Sequence, residues 1–195
     1  MLTGDFLIYG IYKNVRNAAW QCLIDNGIAS FPVSLGQIAT ANGIKIIKNT
    51  EADLLVGNES GACFYDYEDN EWFIVYDNEA TEGRQRIAIA HELGHIFLGH
   101  ELTIGIHGRA FTSRKPESET QADAFALRLL APACVLWGLD LRTPEDIATI
   151  CKISIVDARR RAARMETLLE RGKFLSSSIE RKVYAQFKSY IDENM

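Results

Sequence analysis

The run His91-Glu92-Leu93-Gly94-His95 sets two imidazoles four residues apart, with a glutamate directly after the first. On an α-helix, positions i and i+4 lie one turn apart on the same side, so both rings can reach one metal ion without bending the backbone. Glu92 then falls beside the ion rather than facing it, where a carboxylate can take a proton from water. The pattern points to hydrolytic zinc chemistry, with His91 and His95 as ligands and Glu92 as general base. Two surface histidines on an exposed helix would be the bland alternative. Apolar residues flank the motif on both sides and argue for a buried helix instead.

A catalytic zinc takes three protein ligands and keeps one position open. His100 is near, but the three-histidine arrangement needs Gly and His three and six residues past the second histidine. Gly99 and His100 stand at four and five. The better source of a third ligand is the segment Glu117-Ser118-Glu119-Thr120-Gln121-Ala122-Asp123. Glu119 and Asp123 are again i and i+4, so Glu119 can ligate while Asp123 accepts the second ring N–H of a ligating histidine. Glu117 lies roughly 200° from Glu119 around a helix. Read alone, the segment could equally be a solvated acidic helix start.

Positioning these groups requires two helices, expected from about Glu82 to Leu98 and from about Glu117 to Leu130, the second stopping at Pro132. Upstream, helices are expected over Asn14 to Gly27 and from Leu35 to Gly43, the latter capped by Ser34, then a strand over Ile44 to Ile47. A hairpin is expected from Gly61 to Tyr65 and Trp72 to Tyr76, with a polar turn at Tyr67 to Asn70. Gly99 to Pro116 reads as a long irregular loop, whose length alone suggests a gate over the site. Further helices are expected over Pro144 to Cys151, Ser154 to Arg171 and Ser178 to Asp192. The expected fold class is α+β, mostly helical with one small antiparallel sheet packed against the active-site helix. Residues 1–140 would form the catalytic domain with its N-terminal helices, and 141–195 a helical extension packed on it.

The composition fits a water-soluble globular chain: 195 residues, 47% hydrophobic, 24% charged, with a formal net charge of −5. That charge gives no global attraction to nucleic acid or anionic lipid. No apolar run approaches the ~18 residues of a membrane helix, and Met1 to Gly10 lacks the basic start of a secretory signal. Cys22, Cys63, Cys134 and Cys151 stand far apart in no zinc-binding or disulfide spacing, and read as reduced buried thiols. The expected location is the cytoplasm.

His91 to His95, followed by Glu119-x-x-Ala122-Asp123-x-Phe125-Ala126-x-x-Leu129-Leu130-Ala131-Pro132, resembles the ImmA/IrrE family of zinc metallopeptidases. The run Arg86 to Ala90 and the aromatic hairpin before it are similar too, so the resemblance covers roughly Phe31 to Arg164. It implies a zincin-like fold with one zinc held by two histidines and a glutamate. It also implies intracellular proteolysis of a helix-turn-helix repressor, often encoded beside the peptidase on a mobile genetic element or in a stress-response locus. The chain departs from the family where Glu-x-Glu is common, because Gln121 replaces the second acid. Glu119 stays the expected ligand, and the nearby negative charge of a second acid at position 121 is removed.

In such a site, water attacks the scissile carbonyl, Glu92 takes its proton and passes it to the departing amine. A second oxyanion donor is expected, for which His107 in the long loop is the candidate. Two other readings stay open. The chain could be a zinc-bearing, non-proteolytic regulator that binds a repressor or DNA. Direct DNA binding could also run through Arg159, Arg160, Arg161 and Arg164, which follow a helix-turn-helix rhythm. The negative net charge instead favours a packing hairpin whose arginines are solvated or pair with Glu166 and Glu170.

Overall fold

The structure is a computed structural model that describes residues 15–104, 109–112 and 114–195. Helices α1 (Val15–Asp25) and α2 (Leu35–Ala41) lead into strand β1 (Ile44–Lys48) and one turn of helix, α3 (Asn49–Ala52). The hairpin β2 (Gly61–Asp66) and β3 (Glu71–Tyr76) follows, then helix α4 (Glu82–Phe97) with both histidines of the motif. Strands β4 (Leu102–Ile104) and β5 (Arg109–Thr112) separate it from α5 (Pro116–Leu130). The remainder is helical: α6 (Ala133–Gly138), α7 (Pro144–Cys151), α8 (Ile155–Glu170), α9 (Ser178–Gln186) and α10 (Lys188–Asn194).

The five strands form one sheet in the order β1-β3-β2-β5-β4. The class is α+β, and the zincin-like fold fits. The sheet is mixed rather than wholly antiparallel, because β1 runs parallel to β3, with Ile44 opposite Trp72 and Lys48 opposite Tyr76. The hairpin turns where expected: Asp66 Oδ1 accepts the backbone N–H groups of Glu68 at 2.9 Å and Asp69 at 3.3 Å. An aspartate bonding the chain two residues on is a standard way to close such a turn.

The expected loop between the two site helices is instead part of the sheet. Strand β5 pairs with β2, Phe64 opposite Phe111, and β4 pairs with β5. Strands of three and four residues are too short to carry a readable alternation, and their pairing is supplied by a sheet formed much earlier in the chain. His107 and the tip on which a gate would sit lie outside the described residues.

Two further departures have local causes. Helix α6 was not expected; its sequence, Ala-Cys-Val-Leu-Trp-Gly, is nearly all apolar and shows no polar side from which to read a period. The last helix breaks at Phe187, which is buried together with Val183 and Ile191 against α1 residues such as Ala19 and Leu23 in one core. In the arginine-rich helix α8, Arg159, Arg160 and Arg164 are exposed and Arg161 is not. Arg161 is buried at 5% exposure, and Arg160 pairs with Asp157 at 3.6 Å. Burial above all pushes the Arg161 pKa down to about 10. Among the described residues no helix is long and apolar enough to cross a membrane. All four cysteines are free and buried.

Candidate metal centre

Helix α4 lies against the inner face of the sheet, and α5 packs directly across it. Their close approach comes from small residues. A Cβ on Gly94 would stand 3.1 Å from Ala122 Cα and 3.2 Å from its carbonyl oxygen, tighter than ordinary contact. Helix α5 starts at Pro116, whose missing N–H costs nothing at a helix start, and Glu117 and Glu119 occupy its first turn. The crossing therefore lays the acidic first turn of α5 beside the histidines of α4.

His91, His95 and Glu119 meet there. His91 Nε2 and His95 Nε2 are 3.0 Å apart. The Glu119 oxygens reach them at 3.3 Å each, Oε2 to His91 and Oε1 to His95. Donors 2.0–2.1 Å from a tetrahedral zinc must be separated by roughly 3.3 Å. The three groups therefore have the spacing of a zinc ligand set. A second observation agrees. His91 Nδ1 lies 2.9 Å from Asp123 Oδ1, and a carboxylate only accepts, so the ring proton sits on Nδ1 and His91 Nε2 turns its lone pair to the centre. Glu119 Oε1 is buried there without a hydrogen bond. Electron-rich atoms gathered this closely form a donor set that could hold a metal cation.

His95 is fully buried, and burial above all, with His91 and His100 beside it, pushes its pKa down to about 3. The ring is thus neutral and ready to ligate near neutral pH. His100 lies outside the group formed by His91, His95 and Glu119. Its Nδ1 stands 2.9 Å from the far nitrogen of His95, Nδ1, and its Nε2 is 3.1 Å from Gln121 Oε1.

Glu92 is 2% exposed, and its environment includes a residue to which sequence reasoning gave no role. Arg114 Nη2 donates to Glu92 Oε1 at 3.2 Å and to the Gly61 carbonyl at 2.9 Å. Its Nη1 lies 3.6 Å from Glu119 Oε1. Burial alone would pull the Arg114 pKa down; the charges of Glu92 and Glu119 offset this, and it ends above its ordinary value. No sequence signal distinguished Arg114 from the chain's other scattered arginines, because its place is set by β5, which brings the chain back beside β2. Gly61 is the other missed residue: its missing side chain makes room for Glu92, whose Cγ would stand 3.3 Å from a Cβ there. Beneath lies Cys63, whose thiol burial holds well above its ordinary value, so it stays a neutral neighbour.

The Arg114–Glu92 pair has a thermodynamic consequence. Arg114→Met leaves a buried carboxylate without its cation and should lower unfolding free energy by about 1–3 kcal/mol, less than a fully buried pair because Arg114 is partly exposed. Urea titration of the metal-free protein measures this. In the Glu92→Gln background the same substitution should cost markedly less; equal costs in both backgrounds would show that the two residues are not coupled.

The centre opens onto a cleft of about 620 Å³ lined by Ser60, Gly61, Arg84, Ile87, Arg114 and Asp157, among others. The profile of the Peptidase_M78 family, described as an IrrE N-terminal-like domain, matches residues 42–161. The chain belongs to this family. The matched stretch holds β1, the hairpin, α4 and α5, and so every group of the centre just described. It is a peptidase domain, which makes the chain's activity class that of a hydrolase. No curated protein matches the chain significantly.

Proposed function

We propose that the chain is a zinc-dependent endopeptidase whose substrate is a helix-turn-helix transcriptional repressor, acting in the cytoplasm. The zinc part of this reading rests on one observation: three donors at tetrahedral spacing, with Glu92 beside them in an open cleft. His91, His95 and Glu119 would hold the ion, and Asp123 would fix the His91 tautomer. Zinc, when bound, supplies Lewis acidity and brings the pKa of a coordinated water toward ~7.

The chain's own groups then divide the work. Arg114 occupies Glu92 Oε1, while Glu92 Oε2 is buried without a hydrogen bond. Oε2 is therefore the free basic oxygen, and it takes the proton of the attacking water and delivers it to the departing amine. The Gly61 carbonyl and Glu92 together hold the guanidinium at the cleft wall, beside the path of a peptide. The repressor as substrate is the expectation that the family resemblance carries.

The test uses the full chain, loaded with zinc, and the helix-turn-helix repressor encoded nearest to it. One or a few discrete cleavage products are expected, abolished by a chelator and restored by added zinc. An intact repressor after incubation with zinc-loaded protein would remove this substrate. Cleavage that persists after metal removal would remove the mechanism.

A further inference from the structure

We infer that His100 and Gln121 form a polarity-directed chain that presents His95 to the metal in its ligating tautomer, making both positioning residues of the proposed zinc centre. This rests on the zinc reading above. His100 follows the end of α4, where Gly99 adopts φ 67°, a left-handed conformation suited to glycine. The reversal is closed by two backbone bonds, from Gly99 N–H to Ile96 O at 3.1 Å and from His100 N–H to His95 O at 3.1 Å. This turn folds the His100 ring back onto the ring of His95, their centroids 4.8 Å apart.

Each link constrains the next. Gln121 Nε2 donates to Glu117 Oε1 at 3.3 Å, which a carboxylate accepts and an amide oxygen in that place could not supply. The amide oxygen of Gln121 is therefore turned to His100 Nε2, 3.1 Å away, and that nitrogen must carry the ring proton. A neutral His100 then has a lone pair on Nδ1. Facing it at 2.9 Å is His95 Nδ1, which must donate. The remaining nitrogen of His95, Nε2, is left with its lone pair toward His91 and Glu119. The direction of every proton runs outward from the centre, and the end at Glu117 sets it.

This explains the chain's departure from Glu-x-Glu. An amide at position 121 can accept from His100 and donate to Glu117 together; a carboxylate cannot donate. His91 is oriented by Asp123 from one side and His95 by His100 and Gln121 from the other, so both imidazoles are fixed by residues that touch no metal.

Two measurements test the chain. Nitrogen NMR shifts of the His100 ring in the zinc-loaded protein report its tautomer, and the proton is expected on Nε2; a proton on Nδ1 overturns the inference. Zinc affinity by chelator competition is expected to fall about 10–100-fold in His100→Leu and to recover largely in His100→Asn, whose amide oxygen can accept at the Nδ1 place. Gln121→Met should lose affinity in the same direction by a smaller factor. Unchanged affinity in His100→Leu, with wild-type protein binding zinc tightly, overturns the inference and leaves the zinc reading intact. Wild-type protein that binds no zinc at all refutes the reading beneath it.

Discussion

Glu92→Gln is expected to retain zinc at wild-type affinity and to slow peptide hydrolysis by roughly 10²–10⁴-fold, the usual contribution of a positioned general base. The substitution is nearly isosteric, so packing over Gly61 and Cys63 stays as it is. What changes is the Glu92 oxygen that Arg114 does not hold: Oε2, buried without a hydrogen bond, becomes part of a group that cannot take a proton. Metal content by mass spectrometry and cleavage rate of the repressor, measured on the same sample, check this. If the variant still cuts at the wild-type rate, Glu92 is not the base. If wild-type and variant both relieve repression without cutting, the chain acts by binding, and the non-proteolytic reading replaces the proposed one.

Gly94→Val should have the second large effect, through geometry rather than chemistry. Gly94 stands between the two ligating histidines in sequence but faces α5, where an added Cβ already meets Ala122 at 3.1 Å. A branched side chain must push the helices apart. Overpacking of this kind costs about 1–3 kcal/mol of stability. Glu119 lies one turn from Ala122 on α5, so the same displacement carries the carboxylate away from the histidines. Zinc affinity should fall by more than about 100-fold, because a lost ligand outweighs the 10–100-fold range of outer residues. A thermal melt with a chelator competition on the same variant measures both. A variant as stable as wild type that binds zinc equally well would show that the helix crossing does not set the site.

The contrast between these two residues and Arg114 shows what local spacing can and cannot reveal. Glu92 and the pair His91 and His95 were readable because a single helix fixes their geometry; i and i+4 suffice. Glu119 and Asp123 were readable for the same reason, with α5 as their frame, although their distance to α4 was not. Arg114 was not readable, since it follows a strand whose pairing with β2 spans more than forty residues, and nothing near it in sequence encodes that return. His100 was set aside as a ligand from its spacing alone, and its contact with His95 depends on the turn at Gly99 and on where α5 places Gln121. The parallel pairing of β1 with β3 escaped in the same way: each strand was visible, their relative direction was not. Tertiary placement, not residue chemistry, is what the unaided sequence withheld.

The most direct measurement is the zinc content of the purified chain by native mass spectrometry, wild type beside Glu119→Ala. The account predicts one zinc per wild-type chain and almost none in the variant, with both folded by circular dichroism. A wild-type chain that takes up no zinc when the ion is supplied, or a Glu119→Ala chain that holds it as tightly, would contradict it.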